Sequence, residues 1–285
     1  MLSKIESSQD TNKSINYTVN NLKLDEPIVM GILNVTPDSF FDGGKELSEE
    51  NIVQKINAME YDGAQIIDVG GYSTRPGAAK VSEEEEIKRV LPIVKLIRSN
   101  FKELEISVDT FRSNVAEKCV EVGATIINDI SGGTLDDKMF NCIANLKVPY
   151  ILMHIQGTPQ TMQKKPSYTN VVTDVKHYFE EKINTLNQLG VNDIILDPGF
   201  GFGKTVKHNY ELLNNLDAFK SFGLPVLAGI SRKSMINKVI HTTPEEALNG
   251  TTVLNTIALT KGANILRVHD VKEAKECITL INNLS

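Results

Sequence analysis

Ile194-Ile-Leu-Asp-Pro-Gly-Phe-Gly-Phe-Gly-Lys204 runs three apolar residues into a carboxylate and then into a loop of alternating Gly and Phe. Ile-Ile-Leu has the length and branching of a buried parallel strand, and Asp197 falls where such a strand ends. A half-desolvated carboxylate there accepts two hydrogen bonds from one planar N–H/NH2 edge. The glycines permit sharp turns and close approach, and the two phenylalanines offer flat apolar faces. Neither common nucleotide pattern fits. A Walker A loop ending Gly203-Lys204-Thr205 needs Gly where Pro198 stands, and G-x-G-x-x-G needs Gly where Lys204 stands. From this stretch alone, a ligand loop and a tight structural turn stay equally open.

The same grammar recurs along the chain. Short apolar runs occupy 28–35, 65–70, 105–109, 125–130, 149–154, 193–197, 225–230 and 264–269. Between them lie segments with helical spacing, such as Ile52, Ile56 and Met59, or Ile87, Val90, Leu91, Val94 and Ile97. Ser82 followed by Glu85 predicts a capping box, and Pro244-Glu-Glu predicts another helix start. The acidic run Glu83–Glu86 invites a metal reading, but carboxylates in a first helical turn simply oppose the helix dipole. Eight β-α units predict an α/β fold, a single-domain (β/α)8 TIM barrel over 23–285, with 1–22 a polar, flexible N-terminal arm. A doubly wound open sheet is the alternative, and it rarely needs so many even repeats.

Composition narrows the function. At 285 residues with 41% hydrophobic side chains the chain can bury one large core. A net charge of −6 argues against nucleic-acid or membrane-surface partners, which need a broad basic footprint. No apolar run is long enough to span a bilayer and no signal-peptide core precedes the barrel, so a cytoplasmic location is expected. Cys119, Cys142 and Cys277 have neither disulfide nor zinc spacing.

In such a barrel, chemistry gathers where strands end and βα loops begin. The expected strand ends carry Asn34, Gly70, Asp109, Asn128-Asp129, Met153-His154, Asp197, the stretch Ser231-Arg-Lys-Ser234, and Arg267-Val-His269. Arg267 and His269 are two apart on a strand, so they share a face and can grip an anion. Asp109, Asn128 and Asp197 suit a polar heterocycle. The Asn34 oxygen together with a polyphosphate can share a Mg2+, which commonly binds through one protein oxygen, phosphate oxygens and waters. Lys233 follows Ser-Arg and is not embedded in its strand, which argues against a Schiff-base lysine. His154 reads either as a rim hydrogen-bonder or as a satisfied core residue, while His177, His208 and His241 read as surface residues.

Five stretches together resemble the dihydropteroate synthases: Met30-Gly-Ile-Leu-Asn-Val-Thr-Pro-Asp-Ser-Phe40, Asp68-Val-Gly-Gly-Tyr-Ser-Thr-Arg-Pro-Gly-Ala78, Leu196–Lys204, Gly229-Ile-Ser-Arg-Lys-Ser234 and Arg267-Val-His-Asp-Val271. The resemblance covers 27–269. It implies a pterin-binding TIM barrel, usually a homodimer and a sulfonamide target. The implied activity is a transferase of folate biosynthesis that joins 6-hydroxymethyl-7,8-dihydropterin diphosphate to 4-aminobenzoate, with Mg2+. By motif, Asp109, Asn128, Met153, Asp197, Gly229, Lys233 and Arg267 would form the pterin site. Phe40, Thr74, Arg75, Pro76, Phe202, Lys233 and Ser234 would surround the aminobenzoate. Asn34, Thr74, Arg267 and His269 would hold the diphosphate, with Asn34 on the metal. Arg267, His269, Lys233, Asp109, Asp38 and Asp42 would carry the catalysis, the last two from a closing first loop. Phe41 and Tyr72 depart from the family pattern, standing where small or polar residues are expected. Two rivals remain: a methyltetrahydrofolate:corrinoid methyltransferase, which should lack both the Arg-x-His grip and the Ser-Thr-Arg-Pro loop, and a non-catalytic pterin-binding relative.

Overall fold

The structure is a computed structural model that describes residues 18–20, 22–35, 48–72 and 81–284. A short antiparallel hairpin, β1 (Thr18–Val19) with β2 (Leu22–Lys23), precedes the barrel. The barrel strands are β3 (Ile28–Asn34), β4 (Ala64–Gly70), β5 (Glu105–Asp109), β6 (Ile126–Asp129), β7 (Tyr150–Met153), β8 (Ile194–Asp197), β9 (Leu227–Ala228) and β10 (Ile265–Val268). All eight are parallel, in the order β8-β7-β6-β5-β4-β3-β10-β9. The seam between β8 and β9 closes through the Leu196–Val226 bridge, where Leu196 N donates to Pro225 O at 2.9 Å. This is the expected (β/α)8 barrel.

Helices fill the connections: α1 (Glu49–Tyr61), α2 (Glu83–Asn100), α3 (Ser113–Glu121), α4 (Met139–Leu146), α5 (Val171–Gln188), α6 (Val206–Asn214), α7 (Ser234–Ile240), α8 (Leu248–Thr260) and α9 (Val271–Asn282). Two expected starts are corrected. Ser82 does cap α2 by accepting from Glu85 N at 3.2 Å, but the Glu85 carboxylate pairs with Arg89 and does not complete a capping box. A full capping box occurs instead at Thr205 and His208, at the start of α6. The segment opened by Pro244 is a turn and α8 begins at Leu248, because the Pro244 and Glu245 carbonyls are taken by Arg232 Nη1 at 2.7 Å each. The acidic run is structural: Glu83 accepts from Asn114, Glu85 from Arg89 and Glu86 from Arg112. Strand β9 is shorter than its sequence suggests. Pro225 has no N–H, and Val226 N turns to the Asn264 side chain at 2.9 Å.

The alternation of a strand sorts the core into two bodies. Outward-facing Val29, Ile67, Val108, Ile127, Leu152, Leu196, Ala228 and Leu266 join the helices in one large cluster. Inward-facing Ile28, Met30, Ile66, Ile126, Ile151, Ile195, Leu227 and Ile265 fill the lower barrel, and Leu24 just after the hairpin joins them. Asn20, in the hairpin turn, donates to Glu105 Oε2 at 3.2 Å and Thr125 O at 2.9 Å, tying the hairpin to the strands' N-terminal end. With apolar layers filling the bottom, the next inward positions toward the strand ends must be polar or face the mouth.

Asp129 leaves that pattern. It points outward from β6 and is fully buried, its carboxylate accepting from Ser131 N (2.7 Å), Gly133 N (2.8 Å) and the Tyr150 hydroxyl (2.7 Å). Burial raises its pKa, while those three donors pull the other way. Its work is to shape the turn after β6. Tyr150→Phe should therefore cost about 1 to 3 kcal/mol of stability, read as a lowered urea midpoint with an unchanged m-value.

Candidate active site

The mouth is built from the upper inward positions of the strands. Arg267 on β10 reaches across it. Its Nε donates to Asp68 Oδ2 at 2.6 Å and its Nη2 to Asp109 Oδ2 at 2.9 Å. Asp68, fully buried on β4, also accepts from Ser107 Oγ at 2.6 Å and Asn128 Nδ2 at 3.1 Å. One network thus joins β10, β4, β5 and β6. A half-buried guanidinium satisfied by two carboxylates keeps its charge, and the two acids raise its pKa further against the cost of burial.

The two carboxylates differ in surroundings. Burial pushes Asp109 up to about 7, and Arg267 is the chief influence holding it down. Neighbouring Asp68 adds a like charge that raises it. Gly70 lies beside this pair: a Cβ there would sit 3.5 Å from Asp109 Cβ and 3.9 Å from Asn34 Oδ1. The missing side chain keeps the rim between Asn34 and Asp109 open.

The opposite side carries Asp197 and Lys233. Asp197 is buried at the end of β8, and its Oδ1 accepts from Gly199 N at 2.7 Å. Desolvation raises its pKa, opposed first by Lys233. Lys233 is the N-cap residue of α7; its ammonium donates to Phe200 O at 2.5 Å and lies 4.8 Å from the centre of the Phe202 ring. Burial lowers its pKa to about 8, opposed by Asp197. A Cβ on Gly229 would come within 3.7 Å of Lys233 Nζ and 3.9 Å of Arg267 Cβ, so Gly229 sits between the two cations. Met153 packs with Ile130, Ile155 and Met162, and Phe202 lies against that cluster. Exposed His269 at the end of β10 is oriented by Ser231, whose Oγ lies 2.9 Å from Nδ1 and accepts from the His269 backbone N at 3.2 Å. Ser234 is exposed at the start of α7.

The loop 198–203 proves to be both things its sequence left open. It is a tight turn, with Gly199, Gly201 and Gly203 all at positive φ, and a Gly199 Cβ would lie 2.0 Å from His154 O. It also presents the Phe200 carbonyl and the Phe202 ring to Lys233. His154 lies on the outward side of β7, buried under this loop, with Nδ1 2.9 Å from Lys204 Nζ. That settles its alternatives in favour of a satisfied interior residue.

Asn34, Asp109, Asn128, Met153, Asp197, Gly229, Lys233, Arg267 and His269 are thus at strand ends of one mouth, with Phe202 and Ser234 on its loops. Asp38, Phe40, Asp42, Thr74, Arg75 and Pro76, like Phe41, lie outside the described residues. Tyr72 packs edge-on against Phe111 with centroids 5.3 Å apart and accepts from Gln160 Nε2 at 3.2 Å. Sequence reasoning missed Asp68 as a partner of Arg267. The signal was a lone carboxylate inside the apolar run 65–70, at the parity of Ile66.

Comparison with known proteins agrees with this geometry. The family model described as "Pterin binding enzyme" matches residues 30–269. The chain is 49% identical over 263 residues to the dihydropteroate synthase of Escherichia coli strain K12, covering 92% of this chain and 93% of that protein. A Yersinia pestis dihydropteroate synthase solved with a sulfonamide drug superposes with a TM-score of 0.89 at 41% identity, covering 94% of this chain and 98% of that one. The Xanthomonas albilineans enzyme solved with 4-aminobenzoic acid superposes with a TM-score of 0.85 at 38% identity, covering 92% and 94%.

Removing the cation that stabilises the Asp109 anion must raise its pKa further. In Arg267→Met, the Asp109 side-chain carboxyl carbon should titrate roughly one to three pH units above wild type, followed by carbon-detected NMR. The folded value of about 7 exceeds the ordinary 3.8. The group therefore contributes stability below the ordinary value that is lost as pH rises through the folded one.

Proposed function

The chain belongs to the pterin-binding enzyme family, and from that premise and the geometry of its mouth we propose the reaction it runs. It is a transferase of folate biosynthesis that condenses 6-hydroxymethyl-7,8-dihydropterin diphosphate with 4-aminobenzoate, giving 7,8-dihydropteroate and diphosphate. The observation that carries this reading is Arg267 held by Asp68 and Asp109 at the same mouth as Asn128, Asp197 and Lys233. Neither rival from the sequence is favoured by any feature of this site.

A flat ring with an N–H/NH2 edge matches the Asp197 carboxylate, and Asn128 and Asp109 offer further polar contacts on the other side. The Lys233 ammonium supports the ring's oxygen and nitrogen acceptors, with Met153 and Gly229 giving it a thin slot. Arg267 and His269 face the diphosphate. Negative charge grows on that leaving group as its C–O bond breaks, so fixed positive groups stabilise the transition state more than the ground state. The electron pair leaves with diphosphate, the pterin ring spreads the charge left on the methylene, and the aminobenzoate nitrogen then forms the new C–N bond and releases its proton to water or diphosphate. This dissociative order requires no strong base in the protein. The aminobenzoate lies between Phe202 and Lys233, with Ser234 and the segment 74–76 completing its place; a sulfonamide, sharing its shape, competes there.

Among the described residues no group of three or more His, Cys, Asp or Glu side chains could hold a metal alone. The Asn34 amide oxygen on the open rim beside Gly70 fits Mg2+ arriving on the diphosphate, which asks for only one or two protein oxygens. The Asn34 amide oxygen would be that donor, and the ion would add positive charge beside the leaving group. Asp38 and Asp42 are assigned to closing the first loop.

Two further features complete the reading. No helix among the described residues is long and apolar enough to cross a membrane, and we assign the enzyme to the cytoplasm. A groove of about 730 Å3 between α8 and α9 is lined by Leu248, Cys277, Leu280, Ile281 and Leu284, and Leu280 and Leu284 are 70% and 80% exposed. With Val253 and Ile257 exposed beside it, this face suits a second copy of the chain. Leu280→Glu should convert a dimer to monomers in sedimentation velocity; a wild-type chain that sediments as a monomer overturns this assignment.

The decisive test is product formation from the two substrates, with and without Mg2+. Wild type should form dihydropteroate and release diphosphate with Mg2+ present. Arg267→Ala or Asp197→Asn should lose about 2 to 4 kcal/mol of transition-state stabilisation, or on the order of 30- to 1000-fold in kcat/KM. Near-wild-type kcat/KM in both variants would contradict the mechanism.

A further inference from the structure

Lys204 is a buried cation that the reaction itself does not use. Its ammonium lies 2.9 Å from His154 Nδ1, 2.9 Å from Gly199 O, 3.0 Å from Phe202 O and 3.3 Å from His154 O. These are four acceptors converging on one donor group, only 3% exposed, between the loops that follow β7 and β8. The loops touch backbone to backbone here: a Gly199 Cβ would meet His154 O at 2.0 Å and a Gly203 Cβ would meet Gln156 O at 2.5 Å. Carbonyl dipoles that close, facing each other away from water, repel unless a donor stands between them.

The same loop carries the two groups that address Lys233. Phe200 O accepts from its ammonium, and the Phe202 ring lies beneath it. Gln163 Nε2 to Gly201 O (2.7 Å), Tyr168 Oη to Gly203 O (2.7 Å) and Gly201 N to Asn209 Oδ1 (2.7 Å) pin the loop's outer edge. Lys204 pins its inner edge from beneath, alongside Asp197 at Gly199 N and Lys233 at Phe200 O. We propose that Lys204 and His154 are positioning residues for the aminobenzoate half of the site: their contact holds the 198–203 loop so that Phe202 and Lys233 face one another at the distance the second substrate requires. This rests on the functional reading above and adds to it a residue pair that touches no substrate. The charges around the pair agree. Burial lowers Lys204 to about 7, with Asp197 raising it and Lys233 lowering it, and burial with Lys204 lowers His154 to about 2, so the imidazole is a neutral acceptor.

The experiment compares steady-state constants for both substrates in Lys204→Met, His154→Leu and His154→Asn, the last of which returns an acceptor near the position of Nδ1. Lys204→Met and His154→Leu should raise KM for 4-aminobenzoate on the order of tenfold, as expected for a small misplacement of binding groups, while KM for the pterin diphosphate stays close to wild type. His154→Asn should restore much of the loss. A Phe202→Ala change should cost less in the Lys204→Met background than in wild type, because the ring is already displaced. Should Lys204→Met fail to fold, the two His154 variants carry the same comparison. Parallel rises in both KM values, an unchanged aminobenzoate KM, or equal defects in His154→Asn and His154→Leu would overturn the proposal. A wild-type chain that forms no dihydropteroate would instead overturn the reading on which it rests.

Discussion

A guanidinium fixed across the open end of a closed parallel sheet is the interaction on which the rest of the mouth depends. Arg267 joins β10 to Asp68 on β4 and Asp109 on β5, and Asp68 extends the link to Ser107 and to Asn128 on β6. Pairing of this kind is weak evidence of stability, since the ions lose hydration on burial. Its value lies in geometry. Four strands that share one hydrogen-bonded network cannot shift against each other without stranding a buried charge. Below the network, the apolar layer of Ile28, Met30, Ile66, Ile126, Ile151, Ile195, Leu227 and Ile265 excludes water and fixes barrel width. The polar layer above is thereby held at a constant span.

Electrostatics then divides the labour. Asp197 and Lys233 lie on the same side of the mouth, each opposing the shift that burial forces on the other. Lys204 lies beneath, spent on carbonyls and on a neutral His154. The cations are therefore not interchangeable. Arg267 and Lys233 have faces toward the mouth, whereas Lys204 and Arg232 are bound into the scaffold, Arg232 by Asp270 at 2.9 and 2.7 Å. Density of positive charge in sequence would not have separated these roles; the direction of each side chain does.

Much of the fold was legible because a (β/α)8 barrel writes the same unit eight times. Ile194-Ile-Leu-Asp197 ends where β8 ends, and the expected strand at 105–109 matches β5. The site was legible where a polar residue interrupts an apolar run at its end, as at Asp109, Asn128, Asp197 and Arg267. What escaped was long-range or competitive. Asp68 lies within its strand, and its partner Arg267 is 199 residues away. Asp129 looked like its neighbour Asn128 but has opposite parity, and its carboxylate turns outward to the Tyr150 hydroxyl. Pro244 looked like a helix start until Arg232 claimed the carbonyls behind it. In each case a side chain distant in sequence decided between two locally acceptable conformations.

The pairing of Arg267 with two acids at first sight wastes the charge that the proposed anionic leaving group needs. An arginine whose partners were both firmly ionised would offer little net positive potential to an incoming diphosphate. The surroundings of Asp109 resolve this. Burial and the nearby Asp68 carboxylate push its pKa to about 7, so near neutrality its negative charge is held only weakly. An anion arriving beside Arg267 raises that value further, by the same like-charge repulsion that Asp68 already exerts. Asp68, bound by Ser107 and Asn128, keeps the Arg267 side chain in place. Two acids thus hold Arg267 in different ways, Asp68 through a fully buried network that fixes its direction and Asp109 from the open rim beside Gly70.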